Sequence, residues 1–263
     1  EAIYRKYLAS NEIQAMMHQW RERGQQVSSS SSSAPSNPLQ YLNVIRQLCC
    51  HPTLLESSKS QLASLSISPT SSTPSTSTLQ SDDDGAESNN SNIDREMDQL
   101  IQQSGKLQIL IPLLQNLKAN RHRVLIFSGY TRMLDIIQKV LDHVIKCQYL
   151  RIDGTVNNAQ QRQEYVDRFN SDDTIDCFLL TSQAGGIGLT LVGADRVVIF
   201  DPSYNPSIDN QAVDRAYRIG QTRNVVVYRF ITCSTVEEAM YRKQVFKDGL
   251  SKTTISKENQ YRY

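Results

Sequence analysis

From residue 104 to residue 250, short apolar runs alternate with amphipathic helical stretches. That alternation is the strongest constraint on what this chain can fold into. The runs Val124–Phe127, Gln148–Ile152, Asp176–Ser182, Arg196–Asp201 and Val225–Ile231 have the length and composition of buried strands. Between them, Leu110, Leu113, Leu114 and Leu117 form a helical stripe, interrupted by Pro112, which either kinks the helix or marks its first turn. Thr131–Ile145 directs Met133, Ile137, Val140, Leu141 and Val144 inward, and Gln160–Phe169 is a further helix. Ser234 or Thr235, each with Glu three residues on, caps a closing helix. Strands that are apolar throughout and separated by helices predict an α/β fold, a doubly wound parallel sheet covered on both faces.

The first hundred residues read differently. Residues 1–26 form a helix with Ile13, Met16, Met17 and Trp20 at helical spacing, followed by the serine run Ser28–Ser33. Pro38 opens a second helix, Leu39–Cys50, which His51-Pro52 ends. We therefore expect a helical segment over 1–55 with a Ser-rich insert at 27–38, and a disordered low-complexity linker over 56–103. A lobe at 104–250 and an extension at 251–263 complete the map. The S-D-D-D run at 81–84 is read as a solvating linker, with an acidic-directed phosphosite as the sharper alternative. The first residue is Glu1 rather than Met, so a fragment of a longer product is expected.

A net charge of +1 makes no general case for nucleic acid, although basic residues outnumber acidic ones from Arg196 onward. The five cysteines are odd in number and lack C-x-x-C spacing, which reads as free thiols in a reducing compartment. Cys49-Cys50-His51 lacks finger spacing, so no metal site is expected.

Two segments carry chemistry. Gln183–Leu191, Q-A-G-G-I-G-L-T-L, follows a strand and can open a helix, so its glycines let backbone N–H groups close on a phosphate. It is neither G-x-G-x-x-G nor a Walker A loop. Gly188 either adopts φ > 0 or permits close approach of the backbone to phosphate or to a packed helix. Gln211–Gln221, Q-A-V-D-R-A-Y-R-I-G-Q, places Gln211, Arg215 and Arg218 on one face if it is helical. A polyphosphate clamp and a solvated face with Asp214 pairing Arg218 are both compatible with that spacing. Ligands of such sheets bind at the carboxyl ends of the strands, which would put Gly185, Gly186 and Gly188 on one rim with Gln211, Arg215 and Arg218.

The ordered set V-L-I-F-S-G-Y (124–130), L-R-I-D-G-T (150–155), T-S-Q-A-G-G-I-G-L-T-L, V-V-I-F-D-P-S-Y-N-P and Q-A-V-D-R-A-Y-R-I-G-Q resembles the second lobe of the Swi/Snf family. These are superfamily-two, ATP-driven motors on double-stranded DNA. The segment I-R-Q-L-C-C-H-P-T-L-L resembles the family's helix that joins the two motor lobes, which makes 1–55 a lobe-connecting segment; V-Y-R, T-C-S-T-V-E-E, V-F-K-D and Y-R-Y bring the chain nearest the subgroup of PICH and Cockayne syndrome B-like proteins. Tyr217 stands where many relatives carry His, and Tyr204 where many carry Trp. The resemblance implies a RecA-like lobe in which Arg215 and Arg218 reach across a cleft to a triphosphate. Gln211 would sit near the γ-phosphate or attacking water, with Gly186 and Gly188 at the nucleotide. Ser128, Arg151, Thr181 and Ser182 would touch the DNA backbone, although Ser128 and Thr181 serve equally as strand-end caps.

No G-x-x-x-x-G-K-[ST] or D-E-x-H occurs, so ATP and Mg²⁺ would be held mainly by a first lobe outside this sequence. The expected partners are that first lobe and duplex DNA, free or nucleosomal, in the nucleus. The expected activity is DNA-dependent ATP hydrolysis completed by the first lobe. The competing readings are a catalytically silent binding module, an RNA helicase lobe and a nicotinamide-binding domain. The glycine pattern disfavours the last.

Overall fold

The computed structural model describes residues 38–55, 86–156, 158–183 and 188–255, together with the isolated residues Arg5 and Ala9. The expected helix over 1–26, the serine run, the S-D-D-D segment, Gly185, Gly186 and the tail beyond 255 lie outside the described residues. Helix α1 is Pro38–Cys50, α2 is Ala86–Gln102 and α3 is Gly105–Ala119. Strand β1 is Val124–Ser128, and α4, Thr131–Val140, continues into a wider π turn at Leu141–Ile145. Then come β2 (Tyr149–Ile152), α5 (Ala159–Ser171), β3 (Cys177–Thr181), β4 (Arg196–Ile199), α6 (Pro206–Val213), β5 (Val226–Arg229) and α7 (Val236–Ile255). The linker expectation is corrected at its end, because α2 occupies residues within 56–103 and buries Met97 in the core.

The five strands are ordered β2-β3-β1-β4-β5, and every pairing is parallel. The period of two divides them cleanly. Val124, Ile126, Leu179 and Val198 face α3, α4 and Met97 of α2. Leu125, Phe127, Phe178, Leu180, Val197 and Ile199 face Val166 and Phe169 of α5 and Ala212 of α6. Both layers of the doubly wound fold are therefore present. Pro112 lies inside α3 rather than in its first turn. It sits on the exposed face, where the Gln108 carbonyl that loses its N–H partner can turn to water.

The end of α1 is stitched to the lobe. The Cys50 carbonyl accepts from Ser104 Oγ at 2.6 Å, and the Cys49 carbonyl from Thr232 Oγ1 at 3.5 Å. These bonds satisfy helix-end carbonyls that the chain itself leaves open. His51 is fully buried. Its Nδ1 accepts from the Thr53 N–H at 3.2 Å, so Nε2 carries the proton and donates to the Leu100 carbonyl at 2.9 Å. Burial lowers its pKa below the usual imidazole value.

Beneath the carboxyl ends of the strands lies a layer of buried charge. Lys106 Nζ donates to Glu237 Oε1 at 2.7 Å and to the Phe200 carbonyl at 2.8 Å, and Glu237 Oε2 accepts from the Thr232 N–H at 2.9 Å. Asp201 is buried, with Oδ1 accepting from Ser128 Oγ at 2.6 Å and Oδ2 from the Gly129 N–H at 2.9 Å. Burial pushes its carboxyl up to about 6, against the Ser128 bond and the charge of Lys106, which lower it. A Cβ at Gly129 would stand 2.9 Å from Asp201 Oδ2, so glycine is required there for close approach.

Two predictions follow from this layer. Lys106→Met should destabilise the lobe by about 3–5 kcal/mol, because it leaves Glu237 charged and unpaired in the interior. Adding Glu237→Gln should restore much of that loss, since the amide oxygen still accepts from Thr232; equal urea midpoints for the single and double variants would contradict the assignment. The second concerns pH. Asp201, raised in the fold, contributes stability that is lost as pH climbs from about 4 through about 6. His51, lowered in the fold, has the opposite sign, so its contribution is lost as pH falls below about 6.5. Relative to the parent, Asp201→Asn should steepen the rise of stability with pH, and His51→Gln should flatten it. Urea titrations between pH 4.5 and 7 measure both slopes.

Candidate functional site at the carboxyl rim

The three central strands β3, β1 and β4 end side by side. The Ser182 N–H donates to the Ser128 carbonyl at 3.0 Å and the Phe200 N–H to the Phe127 carbonyl at 2.9 Å, which carries the pairing to the rim. Beyond β4, Asn205 caps α6 by accepting from the Ser207 N–H at 3.1 Å, with Pro206 in the first helical position. Buried Asp209 accepts from the Ser203 N–H through both oxygens at 3.2 Å and from Gln244 of α7 at 3.0 Å. Gln244 also donates to the Ser203 carbonyl. The turn into α6 is thus fixed from two sides.

The single helical face expected for Gln211, Arg215 and Arg218 is corrected. Gln211 lies in the last turn of α6, but the helix ends at Val213, and both arginines occupy the turns that follow. Beyond the helix end the Arg215 N–H donates to the Ala212 carbonyl at 3.3 Å, a tighter turn than the helix makes. The Arg215 carbonyl accepts from the Leu191 N–H at 2.9 Å, a bond made across to the glycine-rich loop instead of up the helix. Gln221 closes the same junction, its Nε2 pointing at the carbonyls of Ala194 (2.7 Å), Val192 (3.1 Å) and Ala216 (3.1 Å). The motif alone gives Gln221 no role; its place directly after a glycine is the sequence signal, and Gly220 turns the chain there with φ 105°.

Arg218 is exposed, and its Nη1 donates to the Gly188 carbonyl at 3.0 Å. Gly188 has φ 72° and open space where a Cβ would project. Glycine is needed there for backbone conformation, not because a neighbour crowds it. Arg215 is half-buried, and its Nε is buried without a hydrogen-bond partner. Burial lowers the pKa of its guanidinium, and the like charge of Arg218 lowers it further. Two neighbouring cations, one with an unsatisfied donor, fit the oxygens of a bound polyphosphate. Gln211 is exposed in the last turn of α6. Among the described residues no group of three or more His, Cys, Asp or Glu side chains could hold a metal ion.

The four residues expected at a DNA backbone separate into two pairs. Ser128 is fully buried, its hydroxyl bonded to Asp201 and accepting from the Tyr130 N–H at 3.2 Å. These bonds make it a strand-end cap. Arg151 is engaged within the lobe, by Asp153 at 2.7 Å, Asp135 at 2.6 Å and the Gln138 amide oxygen at 2.9 Å. A phosphate meeting Arg151 would compete with those carboxylates. Thr181 is largely buried at the end of β3, and Ser182 is half-buried just beyond it.

A family model, the helicase conserved C-terminal domain, matches residues 105–220. The zebrafish (Danio rerio) DNA excision repair protein ERCC-6-like is 44% identical over 265 residues, spanning 100% of this chain and 17% of that protein. Its human (Homo sapiens) counterpart is 42% identical over 266 residues, spanning 100% of this chain and 19% of that protein. Protein CHROMATIN REMODELING 24 of Arabidopsis thaliana is 42% identical over 239 residues, spanning 88% of this chain and 21% of that protein. The chain therefore spans about a fifth of the length of these relatives. A crystal structure of the C-terminal part of the Fun30 ATPase domain superposes with a TM-score of 0.52 and 41% identity, covering 54% of this chain and 46% of that one. With the parallel sheet, the rim and the ordered motifs in agreement, this chain belongs to the C-terminal helicase domains of the Swi/Snf family of ATP-dependent translocases, beside the ERCC-6-like proteins.

Proposed function

We propose that this chain is the second motor lobe of an ATP-dependent translocase on duplex DNA, and that it supplies arginine fingers to a nucleotide held by a first lobe of the same polypeptide. The observation that carries the reading is the pair Arg215 and Arg218, adjacent cations with an orphaned Arg215 Nε, secured to the glycine-rich loop through Leu191, Gln221 and the Gly188 carbonyl. ATP with Mg²⁺ would be anchored mainly by the first lobe. Arg215 and Arg218 would neutralise charge building on the transferred phosphoryl group, and Gln211 would orient the γ-phosphate or attacking water. The loop containing Gly186 and Gly188 would bring the nucleotide side of the rim against the DNA side. Thr181 and Ser182 would meet the DNA backbone, with Ser128 and Arg151 holding the rim in shape behind them. The substrate would be duplex DNA, free or nucleosomal, and the site of action the nucleus. The relatives' own descriptions, in DNA excision repair and chromatin remodelling, support that assignment.

The isolated chain should not hydrolyse ATP, since it lacks a P-loop and Mg²⁺ ligands. Turnover by the purified chain on addition of duplex DNA would overturn the reading. In a polypeptide carrying both lobes, Arg218→Ala or Arg215→Ala should lower kcat by about 10³-fold or more, with duplex affinity little changed. Weakened DNA binding at normal turnover would reverse the assignment. Duplex DNA should stimulate ATPase activity more than RNA and in a steeply salt-dependent way. A preference for single-stranded RNA would place the chain among RNA helicase lobes, and normal turnover in both arginine variants would leave a silent module.

A further inference from the structure

Helix α1 reaches the rim through two side chains one turn apart. The Asn43 amide oxygen accepts from Tyr130 Oη at 2.8 Å, just beyond β1. Arg46 Nη2 donates to the Pro202 carbonyl at 2.7 Å, just beyond β4. The Arg46 guanidinium lies 4.9 Å from the ring centroid of Tyr204 and 5.8 Å from that of Tyr130, within the range of cation–π attraction to both. Its Nε is buried and has no hydrogen-bond partner, so the group is held by ring faces and one carbonyl. Tyr204 itself is 43% exposed.

The turn that Arg46 grips is the one that aims α6. Ser203 is bonded to Asp209 of α6, and Gln244 of α7 holds both Ser203 and Asp209. A displacement of the 202–204 turn must therefore carry α6 with it, and with α6 go Gln211 and the two arginines beyond its end. The far end of α1 is fixed to the lobe through Cys50 and Ser104. Its position is thus readable by both the core and the rim.

We propose that Arg46 is a positioning residue for the nucleotide donors, transmitting the placement of α1 through Tyr204 and Pro202 to α6 and so to Arg215 and Arg218. The inference rests on the proposed role of the two arginines, so Arg218→Ala serves as the reference in its test.

The experiment compares Arg46→Met, Arg46→Lys and Tyr204→Ala with the parent in the full-length protein, by DNA-stimulated ATPase kinetics, duplex affinity and thermal melting. Arg46→Met keeps the packing of the aliphatic stem while removing the stacked charge and the donor. We expect it to lower kcat by about 10- to 100-fold, as a small misplacement of catalytic groups does. KM for ATP and duplex Kd should stay within about twofold, the signature of an interaction realised in the transition state. Arg46→Lys keeps charge and donor but loses the planar stack, and should recover part of the rate. Arg46→Met with Tyr204→Ala should be no worse than Arg46→Met alone, because the stacked contact is already gone. Parent-like kcat in Arg46→Met, alongside a strongly reduced Arg218→Ala, would overturn the inference and leave the motor reading standing. A proportional loss of melting temperature, nucleotide affinity and turnover in all three variants would also overturn it, by reducing Arg46 to a packing element. Parent-like turnover in Arg218→Ala would remove the motor reading and this inference together.

Discussion

Strand β1 is the constraint from which the rest of the lobe follows. Its side chains are buried on both faces, and it pairs with β3 on one side and β4 on the other. A strand in that position cannot face water, so helices must cover both layers. It must also end in a polar group that has somewhere to go. Ser128 meets this need by bonding to Asp201 at the end of β4, and Gly129 admits the same carboxylate to the backbone N–H. The cost of burying Asp201 is visible in its raised pKa, and it is offset by hydrogen bonds that lock the ends of two strands at one height. The rim is level because a buried charge has been satisfied there.

The functional elements hang from that level rim by hydrogen bonds made in trans to their own secondary structure. Leu191 takes the Arg215 carbonyl, Gln221 spans three carbonyls, and Arg218 reaches the Gly188 carbonyl. The first and last join the glycine-rich loop to the arginine turns, and Gln221 ties those turns to the segment just after the loop. If the loop senses DNA and the arginines sense nucleotide, the two ligands share a small set of directional contacts, and occupancy of one site biases the geometry of the other. The like-charged arginine pair adds an electrostatic bias. Mutual repulsion and an unsatisfied donor favour a conformation completed by an anion over one that is self-contained.

The buried ion pair of Lys106 and Glu237 fixes the opposite side of the same layer. It ties the start of α3 to the start of α7. Since α7 also carries Gln244, the ordering reaches Asp209 and the mouth of α6. Ser104 contributes at the same place by capping α3 and bonding to Cys50 of α1. Three helices distant in sequence are in this way referred to one set of polar contacts, which accounts for how α1 lies close enough to the rim for Arg46 to reach Tyr204.

The strands and the helices between them were legible in the sequence because each depends on local periodicity. A buried strand needs an unbroken apolar run, and an amphipathic helix needs its stripe, whatever else the chain does. Motif order was enough to point to the family. Sequence alone misplaced features whose outcome rests on a partner far along the chain. The arginine segment has the pattern of a continuing helix, yet it leaves the helix after Val213 and the Arg215 carbonyl bonds to Leu191 instead. The polar composition of residues 86–102 suggested linker, yet Met97 provides an apolar anchor that packing rewards. Ser128 and Arg151 carry chemistry suited to phosphate, yet tertiary contacts with Asp201, Asp153 and Asp135 claim it first. Sequence by itself determined the layers and the residues available at the rim. Which of those residues keep a free donor was decided by the tertiary structure, because a hydrogen bond satisfied inside the fold is no longer available to a ligand.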